Sequence, residues 1–185
     1  LNGNRNEWQR LEWKFRIPKG FQPTTKFCHL HQLKAQEGNN GAPLITISTR
    51  CDKDGGNKRV QVIHTGDTRT SGKGVIIDNL PLADFEDEWI QVETEMHYTH
   101  HGTFRIKLTR ISDGKVLADQ SFADVDLWRK GATSIRNKFG IYRSLGRKMQ
   151  SASDRPDNGL KDESLQLADF KAYEAHTNPN PQPHD

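Results

Sequence analysis

The sequence predicts an all-β domain in which two curved antiparallel sheets pack as a jelly-roll sandwich, and three observations predict it. Apolar and polar residues alternate with period two through most of the chain. Clusters of Gly, Asn and Asp interrupt that alternation at short intervals. Evidence for helix is confined to a few residues, and many short, evenly spaced strands are the signature of a sandwich or jelly roll. With 185 residues the chain has room for one domain with a sizeable core. Its hydrophobic fraction of 32% suits sheets with one wet face.

The first strand is the clearest. In residues 10–17, Leu11, Trp13, Phe15 and Ile17 fall on one face and Arg10, Glu12, Lys14 and Arg16 on the other. Trp13 is thereby assigned to packing. Further strands are expected at 26–35, 44–51, 59–65, 89–98, 103–110, 116–122 and 136–143. Residues 124–129 suit one or two helical turns, and 162–175 read as a final strand. Residues 1–175 are taken as the single domain, and 176–185, with three prolines, as an extended tail.

Gly38-Asn-Asn-Gly41 is a strong turn signal between two of these strands. A turn centred there would set His31 opposite Ser48, His29 opposite Arg50, and Cys28 opposite Cys51, where a disulfide is expected. His29, His31, Ser48 and Arg50 would then share a polar face, and strict alternation would put Gln32 and Lys34 on the apolar one unless a bulge intervenes. In 138–142, alternation sends Phe139 and Ile141 to the core and Lys138, Gly140 and Tyr142 to the opposite face. Gly140 leaves room there for a ligand. Arg143 falls on the apolar side.

A formal charge of +3 and a pI near 8.9 favour acidic partners. They fall short of the clustered basicity of nucleic-acid binders, so no nucleic acid is expected as a partner. No run of about 18 apolar residues exists to cross a membrane. Leu1 to Arg10 is too polar to serve as an export signal. Neither cysteine has a zinc-site spacing and no His-Glu-x-x-His occurs, so no cofactor or metal is expected beyond a remote structural calcium.

Two segments carry a family resemblance. Lys138-Phe-Gly-Ile-Tyr142 resembles the Lys-x-Gly-x-Tyr strand of the jelly-roll polysaccharide lyases, of the heparin lyase I, alginate lyase and glucuronan lyase types. His29-Leu-His31 is similar to the Gln-Ile-His strand of the alginate lyases, with His29 where those have Gln, and Arg5-Asn-Glu7 to their Arg-x-Glu strand. The resemblance implies a concanavalin A-like sandwich that is secreted and monomeric and cleaves a uronate-containing anionic polysaccharide by β-elimination. It implies His31 and Tyr142 as base and acid, in either order, with Lys138 beside them. Arg5, His29, Gln32, Lys34, Arg50 and Arg143 would meet the substrate. Two other readings stand beside it: a carbohydrate-binding module with no chemistry, and a hydrolase using carboxylates such as Glu93 and Glu95.

Overall fold

The computed structural model describes residues 2–145 and 160–177. Among these residues eleven strands run in chain order: β1 (Asn2–Gly3), β2 (Trp8–Arg16), β3 (Cys28–Gln36), β4 (Ile45–Arg50), β5 (Arg59–His64) and β6 (Gly74–Pro81) are followed by β7 (Ile90–His97), β8 (Gly102–Arg110), β9 (Val116–Val125), β10 (Ser134–Arg143) and β11 (Gln166–Ala175). They form one sheet of order β1-β10-β3-β4-β5-β6 and a second of order β11-β2-β7-β8-β9, all pairings being antiparallel. The fold is a jelly-roll sandwich.

The period-two pattern produces this arrangement directly. β2, β7 and β8 each bury every second residue, and Leu11, Trp13, Phe15, Ile90, Val92, Phe104, Ile106 and Leu108 from them reach 1% exposure or less. Leu30, Leu33, Ile45, Ile47, Val60 and Val62 of the facing sheet meet them in the same core. Each such side chain contributes about 1.5–3 kcal/mol relative to leaving it in water. Trp13 lies at a junction of the layers: its ring packs on His31 (5.3 Å between centroids) and Phe139 (5.0 Å) of the six-stranded sheet.

Three sequence-based expectations change. Residues 124–129 form no helix: Val125 ends β9, and the next residues tie loops together, with the Asp126 carboxylate accepting from the Asp67 amide and meeting His100. β1 and β6 were hidden from the pattern. β1 is two residues long, and β6 is an edge strand containing Asn79 at positive φ and ending in Pro81. The connection from β3 to β4 is not a tight turn on Asn39-Asn40. Glu37 and Gly38 take positive φ, while Asn39 is held by the Lys130 carbonyl and by Asp67.

That longer loop shifts the β3–β4 ladder, so that Cys28 opposes Thr49 and His29 opposes Ser48. Cys28 and Cys51 are therefore not partners; both are buried free thiols, and the Cys51 thiol donates to the Pro23 carbonyl. The tail beyond residue 177 lies outside the described residues. Among the described residues no helix is long and apolar enough to cross a membrane.

Candidate active site

The outward face of the six-stranded sheet gathers most of the polar residues singled out above, and a bulge in β3 decides which. Between His29 and His31 the β3 strand advances two residues while β4 advances one, from Ser48 to Ile47. The extra residue reverses the facing of everything after it. Cys28 and Leu30 point to the core before the bulge, and His31, Leu33 and Ala35 do so after it, all at 2% exposure or less. His29, Gln32 and Lys34 consequently share the outward face.

The expected placement of His31 on the polar face is thus corrected. Its ring lies between Trp13 and Phe139, and its Nε2 is 3.0 Å from Asn137 Oδ1. The Asn137 amide donates to Gln9 Oε1, which also accepts from the Tyr98 hydroxyl, giving a buried polar chain between the sheets. Burial pushes the His31 pKa down to about 4. His31 is a neutral core histidine.

His29 occupies the position that His31 was expected to fill. It opposes Tyr142 in the β3–β10 ladder, with ring centroids 6.1 Å apart, and it stacks on Phe27 at 4.9 Å. Phe27 also packs against Tyr142 at 5.3 Å. The Ser48 hydroxyl donates to Thr46 Oγ1 (2.9 Å) and lies 2.7 Å from His29 Nδ1. With its proton committed to Thr46, the Ser48 oxygen accepts from Nδ1–H, which leaves the lone pair of His29 on Nε2. Burial first, and the Arg50 charge second, lower the His29 pKa to about 4, so its ring is neutral at pH 7.

Arg50 stands on the same face at the end of β4, its Nε donating to Gln61 Oε1 at 2.9 Å. Gln32, Thr46, Ser48 and Gln61 form a buried polar floor, while Tyr142 and Lys138 are exposed. Lys138 opposes Gln32, and Arg136 opposes Lys34. β10 gains a residue relative to β3 between Phe139 and Tyr142, and Gly140 there has φ of 128°, a conformation that a side chain would strain. The glycine is thus required by the backbone rather than by a crowded neighbour.

Two expected residues lie elsewhere. Arg5 sits in the exposed turn between β1 and β2 rather than on a strand. Arg143 opposes Cys28, on the core-facing side, and its guanidinium donates to the Lys161 carbonyl. Sequence reasoning passed over Phe27, Gln61 and Arg136. Only Arg136 had a readable signal, its alternation with Lys138. Among the described residues no group of three or more His, Cys, Asp or Glu side chains could hold a metal ion.

The two histidines predict how stability responds to acid. A histidine with a depressed pKa in the fold costs nothing above its unfolded value of 6.5 and progressively destabilises as pH falls toward 4. For fully buried His31 the loss is on the order of 3 kcal/mol. Denaturant midpoints should therefore fall between pH 6.5 and 4, before most carboxylates titrate. A flat profile across that window would contradict the buried neutral imidazole.

No family model matches the chain, and neither does any curated protein sequence. Solved structures do. An alginate lyase from Pseudomonas aeruginosa superposes with a TM-score of 0.52 at 16% identity, covering 94% of this chain and 68% of that one. A family 7 alginate lyase in complex with substrate gives 0.58 at 10% identity, covering 97% and 66%, and an alginate lyase from Klebsiella pneumoniae gives 0.55 at 13%, covering 91% and 60%. The chain spans roughly two thirds of the length of these enzymes, and at such identities the likeness establishes the jelly-roll fold.

Proposed function

We propose that this protein is a secreted polysaccharide lyase that cleaves a uronate-containing polysaccharide by β-elimination. The observation that carries the reading is the meeting of His29, Tyr142 and Arg50 on one open sheet face, with the two rings 6.1 Å apart. The Lys138-to-Tyr142 motif on a jelly roll like that of alginate lyases supports it.

In the reaction, His29 Nε2 removes the proton from C5 of a uronate. The C5–H electron pair forms the C4=C5 double bond, the C4–O4 bond breaks, and the Tyr142 hydroxyl protonates the departing O4. Negative charge builds on the C5 carboxylate as the proton leaves, and Arg50, with the Gln32 amide, balances it. A bound carboxylate also raises the pKa of the neighbouring imidazole, which makes His29 a stronger base once substrate is present. Lys138 and Lys34 hold adjacent acidic units.

A panel of anionic polysaccharides, followed by ultraviolet absorbance, tests the proposal. The conjugated unsaturated uronate of a lyase absorbs, while a binding module gives no product and a hydrolase gives a saturated one. Rising absorbance with at least one polymer is expected; binding or cleavage without it would favour one of the other two readings.

A further inference from the structure

Arg50 and Arg59 face each other across the β4–β5 ladder, where like charges repel. Arg59 has carboxylates to balance it: its Nη1 lies 2.8 Å from Asp52 and its Nε 3.5 Å from Asp78. Among the described residues no carboxylate pairs with Arg50. Its Nε donates to the neutral amide oxygen of Gln61 at 2.9 Å, and its Nη1 makes a long contact of 3.5 Å to the Thr25 carbonyl.

An amide can present either its oxygen or its nitrogen, so something must choose the end that Arg50 meets. Gln61 is buried, and its Nε2 donates to Asp78 Oδ1 at 2.8 Å, which leaves the oxygen for Arg50. The reverse orientation would set two donors against each other and the amide oxygen against a carboxylate. Asp78 is fixed in turn, because the same oxygen accepts from the Asn79 amide at 2.8 Å. The bond from Gln61 is the largest influence on the Asp78 carboxyl and helps hold its pKa below the usual carboxylate range. A polar chain thus runs from Asp78 on the edge strand β6, through Gln61 on β5, to Arg50 on β4.

We propose that Asp78 is a positioning residue for Arg50: acting through Gln61 it holds the guanidinium by Nε, leaves Nη2 for the substrate carboxylate, and keeps its own negative charge one side chain away. A carboxylate set directly on Arg50 would fix it equally well but neutralise it. The intervening amide fixes it and leaves its positive charge uncompensated until negative charge builds on the uronate carboxylate. The inference rests on the lyase reading for that last step alone.

Nitrogen-15 relaxation of the Arg50 Nε–H group in the intact protein tests the positioning without any ligand. The parent should show a rigid group, with an order parameter near that of backbone, about 0.85, and Asp78→Ala should drop it below about 0.6. Asp78 is exposed on an edge strand and Asp52 still holds Arg59, so the alanine variant should stay folded. A second variant, Gln61→Glu/Asp78→Asn, exchanges the charge between the two positions at constant net charge. The new amide donates to the new carboxylate, which accepts from Arg50, so Arg50 should remain rigid but neutralised.

On a polymer that yields unsaturated product, the charge-exchange variant should lose roughly tenfold or more in kcat/KM. Asp78→Ala, in which Arg50 keeps its charge but not its place, should lower kcat more than it raises KM. An Nε–H group equally ordered in the parent and in Asp78→Ala would overturn the positioning. Parental turnover by the charge-exchange variant would overturn the need for an uncompensated Arg50. Absence of unsaturated product from the parent would overturn the lyase reading, and relaxation alone would then decide whether Asp78 positions Arg50.

Discussion

Tyr142→Phe and His29→Ala are each expected to lower turnover by about a hundred- to ten-thousand-fold, the usual cost of removing one positioned acid or base. Tyr142 is 58% exposed, so loss of its hydroxyl leaves the core untouched and the effect falls on chemistry. His29 is only half-buried and lies outside the core cluster, so its replacement should likewise leave a folded protein. Ser48→Ala removes the acceptor that commits the Nδ1 proton of His29, and should act on turnover more than on substrate affinity. Initial rates at saturating substrate, with circular dichroism of each variant, make the comparison. Near-normal rates in both Tyr142→Phe and His29→Ala would remove these residues from the mechanism.

Trp13→Ala is expected to cost about 3–5 kcal/mol of stability, the range for deleting a large aromatic side chain from a core. Trp13 has no exposed surface and packs against Phe15, His31, Phe139 and Phe170, so four strands and both sheets lose contacts together. The cavity would also leave His31 and Phe139 unsupported beneath the strand that carries Tyr142. Urea or guanidinium unfolding measures the loss. A decrease under 1 kcal/mol would mean that this junction does not join the layers as described.

The same residues explain what could be read from the sequence. β2 was legible to within two residues at either end because its alternation is unbroken, and Trp13 was placed in the core on that pattern alone. β10 kept its facing despite a bulge, since Lys138 and Tyr142 are an even number of residues apart and Gly140 takes up the irregularity. β3 was not legible in this way. One extra residue against β4 turned His31 inward and Gln32 and Lys34 outward, and period-two alternation carries no mark of such a bulge. The Asn39-Asn40 signal misled for a related reason: tertiary bonds to Asp67 and Lys130 hold that loop, and local turn chemistry alone does not. The hydrogen bond that orients His29 through Ser48 depends on the corrected register, so it could emerge only with the fold.

An elimination on the face that holds His29 and Tyr142 would leave its mark in the mass of the products. Cleavage by β-elimination adds no water, so each new non-reducing end should be lighter by one water than the product of hydrolysis and should carry a C4=C5 double bond. Saturated fragments at the full hydrolysis mass, formed by the purified protein and lost in Tyr142→Phe, would contradict it.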